Sequence, residues 1–294
     1  MSILLDINTR VIVQGMTGET GSFYSGRMLD YGTSVVGGVT AAKGGTEHLN
    51  LPVFDTVSDA VRQTGADASI IFESSPFAAD SIMEAADAGI KLCVCITDGI
   101  PAQDMIRVKG YIRGFPEQDR MLLLGPGSSG IVSPGKSLLG IMPGYLYEEG
   151  NIGIIVRSGT LGFEAASQLN KAGFGVSTSI GIGGDTITGS SFLDHLQRFE
   201  ADPDTRAVII IGEIGGLQEI EAAEYARDHM EKPVAGYIAG LSAPKRTRMG
   251  HAGAIISVYG ESAEEKVEVL RECGVAVVPD PSAFAETVKA VLET

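Results

Sequence analysis

The 294 residues carry 37 acidic and 22 basic side chains, for a net charge of −15 and a pI near 4.7, with 44% hydrophobic content and 39 glycines. So acidic a chain lacks the basic surface that displaces counterions from nucleic acid, which excludes a general nucleic-acid binder. A phosphorylated small ligand is not excluded, because a few local amides and one lysine outweigh carboxylates beyond a screening length of ~8 Å.

In chain order, Arg10–Gln14 reads as a buried strand, followed by the turn Gly15-Met-Thr-Gly18-Glu-Thr-Gly21 and a helix to Tyr31. Val35–Val39 is a second strand, Pro52–Phe54 a short edge segment, Val57–Gln63 a helix and Ala68–Phe72 a third strand. A helix over Phe77–Ala88 closes at Gly89, Leu92–Thr97 is a fourth strand, and Pro101 suits the first position of the next helix. Met121–Leu124 is a fifth strand. Gly125–Asn151, dense in Gly, Pro and Ser, reads as an irregular connection between two domains. A second series follows: strands at Ile152–Val156, Ser177–Ile182, Ala207–Ile211, Pro233–Ala239 and Val275–Val278, and helices after Thr160, at Phe192–Glu200, at Gln218–Met230, within Gly260–Gly274 and at Pro281–Leu292. Strands alternating with helices predict an α/β fold with parallel sheets. Cys93 and Cys95, with Cys273 far away, match neither a zinc spacing nor a disulfide framework and are expected as buried strand thiols. No run of about 18 apolar residues predicts a membrane span, residues 1–10 do not resemble a secretory leader, and a cytoplasmic location is expected.

Five motifs carry chemistry. The Gly15–Gly21 turn lets backbone N–H groups approach a phosphate at a helix start, or is simply a tight βα turn. Lys43, between turn residues, reaches toward the same ligand or is a solvated surface lysine. Arg157-Ser158-Gly159-Thr160 again presents a strand, a turn and a helix start, with Ser158 and Thr160 equally suited to capping. Gly250-His251-Ala252-Gly253-Ala254 leaves an imidazole without steric cover, as a nucleophile requires, and Arg246 and Arg248 lie just upstream. Glu213, in Gly212-Glu213-Ile214-Gly215-Gly216, stands at a strand's carboxyl end, where it would orient a histidine or start a helix.

Taken in order, with Gly37-Gly38-Val39-Thr40 and Gly183-Gly184-Asp185, these motifs resemble the alpha subunit of succinyl-CoA synthetase along nearly the whole chain. Ile96–Lys109, Pro76–Asp80 and Gly140–Gly144 resemble the malate–CoA ligase subtype in particular. The resemblance implies a Rossmann-like CoA-binding domain over residues 1–144 and a flavodoxin-like domain over 145–294. It implies phosphorylation of His251 by ATP or GTP, held with Mg mainly by an ATP-grasp beta subunit in an αβ or α2β2 assembly, then transfer to a small dicarboxylate and thiolysis by CoA. Malate is the favoured acid, with succinate the alternative. Thr17, Gly18, Glu19, Thr20, Lys43, Ile96, Thr97 and Asp98 would contact CoA, Glu213 would hold the ring of His251, and Ser158, Gly159 and Thr160 would face the phosphate. No metal site is implied on this chain. Phe163 stands where the family has a substrate-contacting tyrosine, and Gly127-Ser128 where it has Asn-Cys. A non-catalytic CoA-binding regulatory module is the alternative of another class.

Overall fold

Alternate residues of the first strand face two different cores: Val11 and Val13 pack on one side of the sheet, Ile12 on the other, as a period of two dictates for a strand buried on both faces. The structure is a computed structural model and describes residues 3–293. Its first half runs β1 (Val11–Gln14), α1 (Glu19–Tyr31), β2 (Val35–Val39), β3 (Glu47–His48), β4 (Leu51–Phe54), α2 (Val57–Thr64), β5 (Ala68–Ile71), α3 (Ser75–Asp87), β6 (Leu92–Cys95), α4 (Ala102–Arg113) and β7 (Leu122–Leu124). The sheet order is β3-β4-β2-β1-β5-β6-β7. All neighbours are parallel except β3, a two-residue edge strand antiparallel to β4 that nothing in the sequence announced. Numbered by position, the six parallel strands follow the 3-2-1-4-5-6 order of a Rossmann sheet. Helix ends follow local chemistry. Thr56 caps α2 by accepting the Asp59 N–H, and Gly32 and Gly65 close α1 and α2 in the left-handed region. Pro101 sits one residue outside α4, as its cap, rather than at the first helical position.

The second half comprises β8 (Gly130–Ser133), β9 (Ser137–Gly140), β10 (Glu149–Val156), α5 (Gly159–Lys171), β11 (Val176–Gly181), α6 (Phe192–Ala201), β12 (Ala207–Glu213), α7 (Gln218–His229), β13 (Val234–Ala239), α8 (Ala263–Glu272), β14 (Ala276–Val277) and α9 (Phe284–Leu292). Its sheet runs β14-β13-β12-β10-β11-β8-β9, and the five parallel strands follow the 2-1-3-4-5 order of a flavodoxin-like fold. Reciprocal Ser–acid capping boxes open α6 and α8, at Ser191/Asp194 and Ser262/Glu265.

The expectation of irregular chain over Gly125–Asn151 is corrected. Residues 130–140 form a hairpin, antiparallel to β11, that extends the second sheet although it precedes residue 145. A division at 144/145 therefore follows chain order rather than sheet membership. The punctuation that reads as loop is the hairpin's own: Gly130 and Gly140 face each other so closely that a Cβ on either would lie within 2.5 Å of opposing backbone. The hairpin also meets the first half. Thr33 Oγ1 donates to Leu138 O at 2.7 Å and accepts the Leu138 N–H at 3.0 Å, and one apolar core runs from Val11 and Val13 through Ile131 and Leu139 to Ile154.

Cys93 and Cys95 are buried on β6, where burial first of all raises both thiols, Cys95 to about 12. They are inert at neutral pH. No described helix is long and apolar enough to cross a membrane.

Candidate functional site

The carboxyl ends of β10 and β12 are adjacent, at the point where the strand order of the second sheet reverses, and ligands of open α/β sheets gather at such points. β10 runs into Arg157 and the start of α5, while β12 ends on Glu213. His251 comes from the long loop between β13 and α8. That loop is held by Met249 N–H to Ala254 O (2.9 Å) and Gly253 N–H to Gly184 O (3.0 Å), and by Glu261, whose carboxylate accepts the N–H groups of Gly216, Ser257 and Val258.

The imidazole meets Glu213 through Nδ1, at 2.7 Å from Oε2 and 2.9 Å from Oε1. An ionised carboxylate only accepts, so the hydrogen sits on Nδ1 and Nε2 is left as the nucleophilic nitrogen. The hydrogen bond to Glu213 is the main influence raising the imidazole pKa. Burial opposes it, the Glu213 charge adds to it, Arg157 lowers it and Asp185 raises it. The ring keeps 38% of its side-chain surface exposed, against 11% for Glu213. It is therefore held but not sealed. By contrast His195 is wholly buried, bonded to Ser190 Oγ at 2.9 Å and driven by burial to a pKa of about 3, which makes it a neutral core residue.

A cleft of about 560 Å³ opens over the ring. Its walls include Ile96, Asp98, Ser158, Gly159, Thr160, Phe163, Arg248 and His251, which brings together residues singled out in the sequence from both halves of the chain. Ser158 occupies the cap position of α5 without capping it, since its hydroxyl lies 3.2 Å from that of Thr160. The first N–H groups of α5 are thus left to an anion. Thr97 lies behind the wall, its hydroxyl donating to Glu73 O, and Arg246 does not line the cleft. Ser128 lines it, but its hydroxyl is spent on backbone: it donates to Gly181 O at 2.6 Å and accepts the Gly130 N–H at 2.8 Å. Thr17, Gly18, Glu19, Thr20 and Lys43 lie apart, on the carboxyl edge of the first sheet, where Lys43 Nζ donates to Thr17 Oγ1 at 2.9 Å. A second cavity, about 520 Å³, lies along that edge and includes Gln14, Thr40, Asp55 and Glu73.

Gly183 and Gly184 fit where nothing larger does. A Cβ on Gly183, at φ +91°, would lie 2.0 Å from Pro126 O, and one on Gly184 would lie 2.3 Å from the His251 ring. Gly183→Ala is expected to destabilise the chain by more than ~2 kcal/mol, from backbone strain and overpacking together, read as a lowered thermal midpoint. An unchanged midpoint would contradict the packing described.

Sequence reasoning missed the support beneath the site. Glu219, fully buried, accepts from Arg157 Nε at 2.8 Å and from Lys266 Nζ at 2.6 Å. Burial works to raise its carboxyl pKa, but the two cations outweigh burial and hold it below the ordinary carboxylate range. Nothing local in the sequence marks Glu219 or Lys266 as buried, and only the topology brings them under Arg157.

Comparison with known proteins identifies the family. Residues 6–99 match the model of a CoA binding domain and residues 155–278 that of a CoA-ligase. The chain is 59% identical to the malate–CoA ligase subunit alpha of Methylorubrum extorquens over 99% of both chains. It is 50% identical to the ADP-forming succinate–CoA ligase subunit alpha of Aquifex aeolicus, over 100% of this chain and 95% of that one. A solved ATP citrate lyase from Methanothrix soehngenii, in complex with citrate and coenzyme A, superposes with a TM-score of 0.89 at 26% identity; 99% of this chain is covered, which spans 50% of the lyase chain. With relatives this similar over its whole length, and with both domains in the expected order, the chain belongs to the family of CoA-ligase alpha subunits that includes the malate–CoA and succinate–CoA ligases.

Proposed function

We propose that this chain is the alpha subunit of a nucleotide-dependent dicarboxylate–CoA ligase that works through a phosphohistidine at position 251. The carrying observation is the half-exposed imidazole, bonded through Nδ1 to Glu213, in a cleft shared with the uncapped start of α5. In the first step Nε2 attacks the terminal phosphorus of a nucleoside triphosphate, the N–P bond forms and the nucleoside diphosphate leaves. The substrate carboxylate oxygen then attacks that phosphorus, the N–P bond breaks and an acyl phosphate forms. The CoA sulfur finally attacks the acyl carbon and expels phosphate, which carries away the thiol proton. The N–H groups at Ser158–Thr160 stabilise the phosphoryl oxygens throughout.

An ATP-grasp beta subunit supplies the nucleotide site, so the chain alone is expected to be inactive. Malate is the favoured acid on the 59% identity to the malate enzyme, with succinate next. The departures near the substrate have a physical reading. Phe163 lines the cleft without the hydroxyl of a tyrosine, and Ser128 has no free hydroxyl to offer, so neither side chain bonds a substrate carboxylate. Thioester formation by the co-expressed αβ complex on a panel of malate, succinate, citrate and smaller hydroxyacids tests this reading. Turnover of none of them, with CoA still bound, would favour a regulatory module instead.

CoA lies along the carboxyl edge of the first sheet, its phosphates toward Thr17–Thr20 and Lys43 and its thiol end passing the Ile96–Asp98 loop into the cleft. Lys43→Ala is expected to raise the KM for CoA about tenfold, as loss of one charge-assisted contact does, and to leave the KM for nucleotide unchanged. Initial rates with CoA varied check it, and an unmoved CoA KM would remove Lys43 from the site.

A further inference from the structure

Beneath His251 lie three charged side chains that the mechanism above does not use. Arg157 is 7% exposed, and Glu219 and Lys266 are fully buried. Burying two cations and one carboxylate is costly unless each is paired, and here the pairing is complete on the inner side. Glu219 Oε1 takes Arg157 Nε at 2.8 Å and Oε2 takes Lys266 Nζ at 2.6 Å. Lys266 Nζ also donates to Glu213 O and Gly215 O, both at 2.8 Å, and so pins the strand end that carries the partner of His251. The guanidinium is fixed from two further sides, by Gly183 O, 3.4 Å from Nη1, and by the ring of Phe192, 5.5 Å from Cζ. Its Nη2 has no partner among the described residues, and Arg157 lines the cleft beside His251.

A planar fork with one edge anchored and one nitrogen unspent, in a cleft where a phosphoryl group must form and leave, is built to bind phosphate oxygens. We infer that Arg157 is a catalytic residue that contacts the phosphoryl group as it passes between His251 and the substrate carboxylate, with Glu219 and Lys266 as positioning residues that hold the guanidinium and the Glu213 strand end in place. The cation favours the phosphorylated imidazole, which is anionic, over the free imidazolium, which it repels. The inference rests on the phosphohistidine reading, so its test must separate the two.

The experiment uses the αβ complex with Arg157→Lys, Arg157→Gln and Glu219→Gln, run in reverse with inorganic phosphate and the acyl-CoA thioester. Phosphoenzyme formation and thermal midpoint are followed in parallel. Arg157→Lys and Arg157→Gln are expected to slow phosphoenzyme formation about 10²-fold and to raise the KM for phosphate, while the KM for the thioester stays within about twofold. Glu219→Gln moves the same two parameters in the same direction by a smaller factor. Each variant is read by itself, so one that fails to assemble leaves the others decisive. Unchanged phosphate KM and phosphoenzyme rate in the Arg157 variants overturn the assignment, as does a uniform loss of every parameter in step with the thermal midpoint. A wild-type complex that forms no phosphoenzyme from either direction defeats the phosphohistidine reading instead.

Discussion

A His251→Asn chain, assembled with its partner and given labelled nucleotide, is expected to take up no acid-labile, base-stable phosphate, and its turnover is expected to fall on the order of 10⁴-fold or more. The size follows from the chemistry. In the mechanism proposed, every route from nucleotide to acyl phosphate passes through Nε2, and asparagine offers no nitrogen that can attack phosphorus and then be displaced. The substitution is small and the ring is half exposed, so the fold is expected to persist and the loss to lie in the chemistry. CoA binding, proposed above to use the far edge of the first sheet, should stay within about twofold. Full labelling of the variant would remove His251 from the mechanism.

Glu213→Gln is expected to have the next largest effect, a loss of about 10²- to 10⁴-fold in phosphoenzyme formation, the range over which histidine-orienting carboxylates act. A glutamine oxygen still accepts from Nδ1 but no longer stabilises a positive ring, and its amide end can turn toward Nδ1 and impose the wrong tautomer. The pH dependence carries a sign. The Glu213 hydrogen bond raises the folded-state pKa of His251 above its ordinary value of about 6.5. The stability contributed by that pair is therefore fully present below about pH 6.5 and is lost as pH rises through the raised value. Nε2 becomes available over the same interval, so phosphoenzyme formation should climb with pH there. In Glu213→Gln the inflection moves to lower pH. Rate profiles of both proteins check this, and coincident inflections would contradict the assigned role of Glu213.

Much of the fold was legible because each half repeats one physical device. A short apolar strand, a glycine turn and a helix with a recognisable cap leave little freedom in assignment, and the parallel sheets follow from their alternation. The hairpin at Gly130–Gly140 was not legible, because its four-residue strands sit among glycines and prolines that enforce close backbone approach and look like loop. Within the site, His251 stood out because small residues flank it, and Glu213 because it stands at the carboxyl end of a strand. Glu219 and Lys266 did not. A charged residue in a helical segment reads as solvated, and nothing local shows that two distant helices bring a carboxylate and an ammonium to one arginine. Ser128 shows the opposite failure. It stood out only as a departure from the family's residue, and only the coordinates reveal that its hydroxyl proton is already given to backbone.

The hairpin has a consequence for how the molecule can be divided. Cutting the chain at 144/145 would leave its two strands on the first fragment and strip β11 of its neighbour, opening a row of unpaired backbone groups on the second. Each piece would then carry a complementary sticky surface, and the two would re-associate or aggregate rather than behave as separable modules. A cut shortly before Gly130 keeps the second sheet whole, at the cost of baring the α1 face that β9 covers. The two halves are thus stitched together through the Thr33–Leu138 hydrogen bonds and one continuous apolar core, so that neither can be lifted away without exposing the other.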